Sequence, residues 1–451
     1  MKKKVNKYII FMVATFFVGS LFPFAYSGVN SGLEEMKIMV DVVDKIKVNY
    51  VEEKENKELL ENALTGMVRG LDEFSDFIVK KEMKPMQEET RGEFGGVGMR
   101  LDASKKDHLF VVTPIPGTPA YKAGIEPNDE ILQIDNKLVK DMTSEEAVEA
   151  LRGVIGTKVK VLIERKNKDG KKEQKTFTLK RSKIVPQVVY PRMLDEEIGY
   201  IYVQDFSGHT TQDFQKALQD LSKQNMKALV LDLRFNPGGL LDSAVDMVKM
   251  FIGENKLIVY TKGRNPEYFK EYKSVAKAKY EDLPIVLLVN EMSASGSEIV
   301  AGALQDHKRA LLIGARTFGK GSVQQIMNIE GGAGLRLTVA RYYTPLGRMI
   351  HKNFKAKNSN ETGGILPDME VAFNLNESRK ATMYMTNLIY SPSKKTALPE
   401  ENFNVKDIVL DRAREILKAR KSLAALAAFS EEQKDTQEKT EEKKETTENS
   451  K

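Results

Sequence analysis

Between residues 198 and 371 the chain alternates short apolar runs with longer amphipathic ones: "IGYIYVQDF", "TTQDFQKALQDLSKQ", "KALVLDLR", "LLDSAVDMVKMFI", "PIVLLVNE", "SGSEIVAGALQD" and "ALLIGAR". The short runs read as strands and the amphipathic ones, with apolar residues at helical spacing, as helices. Strands that follow one another through a helix run parallel, because a tight hairpin cannot join parallel neighbours. The alternation therefore predicts a largely parallel sheet with crossover helices.

The remaining segments differ in style. Residues 28–90 carry apolar positions at helical spacing, as in Met36, Met39, Val40, Val43 and Ile46 and again in Leu59, Leu60, Ala63, Leu64, Met67 and Val68, which predicts an N-terminal helical segment. Residues 91–182 hold period-two runs broken by glycine, among them "GEFGGVGMRL", "HLFVVTPIPGTPA" and "KVKVLIER", with one helical run, "SEEAVEALRG"; they predict a compact strand-rich domain. The parallel-sheet core is expected over 183–375 and a C-terminal helical segment over 376–430. Residues 431–451 are nearly all Glu, Lys, Thr, Gln and Ser, too polar to fold alone, and read as a disordered charged tail. The expected fold class is α/β and α+β in several domains, and 451 residues, 41% of them hydrophobic, can bury two or three ordinary cores.

At the N-terminus Lys2, Lys3, Lys4 and Lys7 precede an apolar run over residues 8–25, the pattern of an export signal. Ala25 and Ser27 flank Tyr26 in an arrangement that signal peptidase could cut before Gly28, yet the run is also long enough to span a bilayer, so residues 1–27 read as a signal peptide or a membrane anchor. Either reading sends the chain to or across a membrane, so the expected location is extracytoplasmic. Cysteine is absent, which excludes disulfides, thiolate catalysis, a lipid-modified cysteine and Cys-based metal sites. The four histidines, His108, His209, His307 and His351, are scattered and give a histidine metal site no support. The net charge of +6 is a small difference between 70 basic and 64 acidic residues spread together, so nothing selects nucleic acid.

The stretch "VLLVNEMSASGSEIVAGALQD" reads as a strand ending at Asn290, a turn of small residues and a helix starting near Ser295. A serine at such a corner has an exposed hydroxyl, and the first N–H groups of the helix point outward unpaired, able to hold an oxyanion. Ser293, Ser295 and Ser297 also suit simple helix capping, so a second element is needed. It comes from "ARTFGKGSVQQ", where Lys320 stands between two glycines, 25 residues after Ser295. Strand–helix–strand spacing brings the ends of adjacent parallel strands to one sheet edge, where Ser295 and Lys320 can meet. A lysine desolvated in an apolar pocket loses its proton far below its ordinary pKa of about 10.4 and can act as a base. Gln324, four residues on, can hold the amine through its side-chain carbonyl.

A rival reading exists. Gly314 to Lys320 satisfies G-x-x-x-x-G-K, and "ALVLDLR" ends a strand in Asp232, as a nucleotide site requires. It fails on Gly321, which stands where Ser or Thr should bind magnesium, on the extended pattern after Lys320, and on an acidic residue that precedes the loop.

Several motifs, in order, resemble the carboxyl-terminal processing peptidases, or tail-specific proteases: "LDEFSDFI" (71–78), "GEFGGVGMRL" (92–101), "GTPAYKAGIEPNDEILQID" (117–135), "LVLDLRFNPGG" (229–239), "LVNEMSASGSEIVAGALQD" (288–306) and "TFGKGSVQ" (317–324). The resemblance spans roughly residues 35–375 and implies a serine-type endopeptidase that cuts proteins near their C-termini, without metal or organic cofactor. It maps the nucleophile onto Ser295, the base onto Lys320 and the lysine-orienting glutamine onto Gln324. It implies oxyanion N–H groups from Gly238 or Gly239 together with Gly296. Phe74 and Met292 depart from the family pattern, which commonly has histidine and glycine there. The 91–182 module resembles a PDZ domain, whose loop, here Gly95, Gly96, Val97 and Gly98, turns backbone N–H groups toward a chain-end carboxylate while an extended peptide joins the sheet edge. The resemblance also implies that this module gates activity. The expected partners are protein substrates with accessible apolar C-termini and a regulatory protein. Helical segments near 33–70 and 405–428 are candidates for homo-oligomer contacts, although ordinary packing explains them equally well.

Overall fold

The computed structural model describes residues 34–102, 108–167, 170–354, 362–371, 380 and 407–423. The sequence-predicted export segment and charged tail lie outside them. Among the described residues no helix is long and apolar enough to cross a membrane. The chain divides into two compact units, one of the residues up to Lys80 with Ile326–Leu337, the other of Lys81–Gln325 with the residues from Thr338 on.

The first unit contains helices over residues 34–49 and Asn56–Arg69 and the strand Asp76–Ile78, which pairs antiparallel with residues 334–336. Asp76 anchors this corner by receiving Arg69 at 2.9 Å and Arg336 at 3.5 Å. Only Val68 of the Asn56–Arg69 helix is buried.

In the second unit the parallel sheet appears as the alternation requires. Its strands lie in the order Val189–Met193, Ile198–Val203, Ala228–Asp232, Ile285–Val289, Leu311–Gly314, Met369–Glu370. The first pair is antiparallel and every later pair is parallel. Successive side chains point to opposite faces of a strand, so each central strand feeds two cores. Ile201, Leu231 and Leu287 pack against the crossover helices Thr210–Lys223, Leu241–Lys249 and Gly296–Asp306 through Phe214, Val248 and Val300. Tyr200, Val230 and Leu288 face the other way, onto Val409, Leu410, Ala413 and Leu417 of a helix over residues 408–423. The C-terminal helix is thus the cover of the second face, a role its weak sequence pattern did not reveal.

A second, antiparallel sheet joins Leu257–Gly263 to Lys270–Lys273 and to the end of Gly334–Tyr343, which also pairs with Ser322–Asn328. This antiparallel group stands apart from the parallel alternation, within the stretch 183–375.

The strand-rich module orders Met99–Asp102, Phe110–Pro114, Glu130–Ile134, Lys158–Lys166 and Lys172–Lys180 side by side around a core that includes Val111, Ile131, Val161 and Leu179. Its helix Ser144–Leu151 starts at a reciprocal cap: Glu146 N–H donates to Thr143 Oγ1 at 3.2 Å and Thr143 N–H to Glu146 Oε2 at 2.8 Å. Ala147 and Leu151, four apart, turn one face of that helix into the core.

Candidate active site

The strand Ile285–Val289 ends at Asn290, and the chain reverses through Ser293 before the helix Gly296–Asp306 begins. Ser293 and Ser297 are fully buried, and each donates its hydroxyl to a main-chain carbonyl, Ser293 to Leu233 at 2.8 Å and Ser297 to Asn236 at 3.0 Å. Ser295 is half-buried and stands at the corner with φ 52 and ψ −109. A side chain at such a φ costs about 1–3 kcal/mol and persists only where the surroundings hold it. The helix N-terminus that follows places the Gly296 N–H outward, with no hydrogen-bond partner among the described residues.

Facing this corner is the turn after the strand Ala228–Asp232. Phe235 has φ 62, and its N–H is held by Asn290 Oδ1 at 3.0 Å. Asn236 is the pivot. Its Nδ2 donates to Val203 O, its Oδ1 accepts Gly238 N–H at 2.8 Å, and its carbonyl accepts both Ala294 N–H and the Ser297 hydroxyl. The turn and the serine corner are therefore one hydrogen-bonded body. At Gly238, φ is 102 and a Cβ would stand 2.6 Å from Ser295 Cβ and 2.9 Å from Gly296 N, so only glycine lets the turn come this close. Gly238 N–H is occupied by Asn236, whereas Gly239 N–H has no partner among the described residues.

Lys320 is half-buried in the segment between the strands Leu311–Gly314 and Ser322–Asn328. The residues after Lys320 form a strand, not the helix that a phosphate-binding loop requires, so the nucleotide reading falls. Gln324 lies on that strand, where its Nε2 donates to Ser322 Oγ at 2.7 Å and Thr338 Oγ1 at 3.4 Å; both bonds use the nitrogen and leave the carbonyl oxygen to accept.

The residue that joins the two halves is one the sequence reading missed. Glu298 is fully buried, and its carboxylate accepts four hydrogen bonds: Oε1 from Thr317 Oγ1 and Gly319 N at 2.6 Å each, Oε2 from Ser295 N and Lys320 N at 2.8 Å each. One oxygen thus holds the main chains of Ser295 and Lys320 together. Burial pushes the Glu298 carboxyl up to about 7, against the four hydrogen bonds that favour its charged form. A signal was present: Ser295-x-x-Glu298 is the spacing of a capping box, in which the acid reaches back to the first N–H of the corner.

Among the histidines, His209 bonds Glu93 at 3.0 Å, His307 the Leu257 carbonyl at 2.6 Å and His108 Glu130 at 2.5 Å. His351 is the one beside the lysine segment, its main-chain N 2.3 Å from where a Gly321 Cβ would lie, and its ring packs edge-on against Phe354.

In the strand-rich module a groove of about 200 Å³ lies between Met99–Asp102 and the helix Ser144–Leu151, lined by Phe94, Val97, Leu101, Val148, Leu151 and Arg152. Of the glycine-rich loop, Gly95 and Gly96 lie in the strand Phe94–Gly96, paired antiparallel with Lys183 and Ser182. Val97 is buried, and Gly98, with φ 77, packs so closely on Thr118 that a Cβ would meet it at 2.3 Å. The left-handed turn beside the groove falls at Gly98.

A parallel sheet with a serine corner at its strand ends, together with a grooved strand-rich module, describes a class of peptidase, and the comparisons with known proteins agree. Residues 197–371 match the model of peptidase family S41 and residues 86–164 that of the PDZ domain. The chain is 36% identical over 384 residues to the carboxy-terminal-processing protease of Bartonella bacilliformis, covering 83% of this chain and 85% of that one. It is 36% identical over 313 residues to the carboxy-terminal processing protease CtpA of Bacillus subtilis, covering 68% and 65%. A solved photosystem II D1 C-terminal processing protease aligns at 29% identity with a TM-score of 0.43, over 72% of this chain and 85% of that one. The chain belongs to the carboxy-terminal processing proteases of peptidase family S41, serine peptidases that here carry a PDZ domain.

Proposed function

We propose that the chain cleaves polypeptides near their C-termini by acyl transfer, with Ser295 as nucleophile and Lys320 as general base. The observation that carries this reading is the Glu298 carboxylate, which ties the main chains of both residues to one oxygen beside the Gly238–Gly239 turn. The neutral Lys320 amine takes the Ser295 hydroxyl proton while Oγ adds to the scissile carbonyl. The N–H groups of Gly239 and Gly296 hold the resulting oxyanion. Collapse expels the leaving amine, which takes its proton from the Lys320 ammonium. Water, deprotonated by Lys320, then splits the acyl-enzyme, releasing a carboxylic acid and restoring the serine. Gln324 orients the lysine amine through its side-chain carbonyl. The steps balance without a metal or organic cofactor.

The groove of the PDZ domain takes the apolar end of the substrate as an added strand beside Met99–Asp102, and the apolar lining from Phe94, Leu101, Val148 and Leu151 supports this. The basic start and apolar run of residues 1–25 support a location outside the cytoplasm.

The test is turnover of an unfolded protein with an apolar tail, alongside labelling by an electrophilic phosphonate. Ser295→Ala and Lys320→Ala should each lower kcat at least about a thousandfold with the fold intact, and the label should sit on Ser295. Turnover retained in folded Lys320→Ala would remove the base assignment.

A further inference from the structure

Arg234 is among the largest fully buried side chains, and it immediately precedes the turn that faces Ser295. Two carboxylates from distant parts of the chain hold its guanidinium. Asp232 receives Nε at 3.0 Å and Nη2 at 2.6 Å, and also accepts the Tyr200 hydroxyl at 2.8 Å. Asp407 receives Nη1 at 2.9 Å and Nη2 at 2.8 Å. Asp407 lies beyond the stretch that matches the peptidase family, at the start of the helix over residues 408–423, where its carboxylate also accepts Leu410 N–H at 3.0 Å. One side chain thus caps the covering helix and completes the bonding of a buried arginine.

A guanidinium presents five N–H donors in a rigid fork, and Asp232 occupies only the inner edge. Without Asp407 the outer donors would be buried without acceptors, a state a side chain leaves by moving. Arg234 has little room to move without its backbone. Its N–H is held by Asp232 at 2.9 Å, and the next residue, Phe235, sits at φ 62 with its own N–H on Asn290. Beyond it, Asn236 binds Gly238 N–H, Ala294 N–H and the Ser297 hydroxyl, so a shift at Arg234 reaches both the glycine turn and the serine corner.

We propose that Asp407 is a positioning residue for the peptidase reaction: through Arg234 it holds the turn whose Gly239 N–H receives the oxyanion, so one side chain at the start of the C-terminal helix acts on the catalytic turn. This rests on the roles of Ser295 and Gly239 proposed above. A displaced oxyanion donor weakens the transition state more than the bound substrate, so the loss falls on kcat and leaves KM nearly unchanged.

The experiment uses the full chain and a peptide with an apolar tail, comparing Asp407→Asn with Leu417→Ala. Asparagine keeps the helix cap and removes the charge, whereas Leu417→Ala takes a buried contact from the same helix and leaves the Arg234 pair intact. Asp407→Asn should lower kcat about tenfold to a hundredfold with KM within about twofold. Leu417→Ala should lower Tm at least as much and keep kcat within about twofold of wild type. Wild-type kcat in folded Asp407→Asn, a loss confined to KM, or an equal kcat loss in Leu417→Ala overturns the proposal. Should Asp407→Asn not fold, Asp407→Glu takes its place: a smaller fall in kcat with unchanged KM supports the proposal, and wild-type kcat overturns it. Turnover that persists in Ser295→Ala locates the failure in the nucleophile reading beneath it.

Discussion

Ser295 holds a backbone conformation that its own side chain disfavours, and two neighbours hold it there: Glu298 on its N–H, and a turn that approaches as closely as glycine permits. Gly238→Ala would press a methyl group against Ser295 Cβ at 2.6 Å in a left-handed conformation, so kcat should fall about a hundredfold or more while the helix content seen by circular dichroism stays near wild type. Glu298 adds a pH dependence. Its carboxyl is raised from the ordinary 4.5 to about 7, so between these values the folded chain holds a proton that the unfolded chain has lost. Stability from this group is therefore greatest below about pH 4.5 and is lost as pH rises through 7, a change of roughly 3 kcal/mol. Glu298→Gln removes that term. Urea unfolding should show the variant gaining on wild type from pH 5 to pH 8; a flat difference would mean the carboxyl titrates normally. The same substitution turns an amide N–H₂ toward main-chain N–H donors and should lower kcat at every pH. The corner itself was legible, because a strand run, small residues and a helical run meet at Ser295. The fourfold bonding of Glu298 was not, since only folding brings residues 317–320 to it.

At the scale of elements, periodicity reported well where an element buries one face and poorly where tertiary pairing decides. The helix Ser144–Leu151 announces its start by Thr143 and Glu146, and Thr143→Ala should cost about 1 kcal/mol, read as a lower urea midpoint for the PDZ domain with little change in the peptidase core. The pairing of the Leu257–Gly263 and Gly334–Tyr343 strands was not legible, because nothing local distinguishes an antiparallel partner far along the chain. In the glycine-rich loop to which the PDZ resemblance points, Gly95 and Gly96 pair as a strand with Lys183 and Ser182. A strand partner nearly ninety residues away cannot be read from a run of glycines.

For the whole molecule, the arrangement predicts that recognition and chemistry are separable. Val148→Glu, at the lining of the PDZ groove, should raise KM for a protein substrate with an apolar tail about tenfold or more and leave turnover of a short peptide that lacks such a tail within about twofold. Equal losses on both substrates would show that the groove does not hold the tail. The sequence alone determined the parallel sheet, the strand-rich module and the place of Ser295 at a strand-to-helix corner, because periodicity, capping and small-residue turns act over a few neighbouring residues. Tertiary structure alone decided that Glu298 spans two segments, that Gly238 rather than Gly239 spends its N–H on Asn236, and that Asp407 reaches Arg234 across more than 170 residues. Buried charges and unpaired donors take their partners from whatever the fold brings within about 3 Å, and that is a property of space, not of order along the chain.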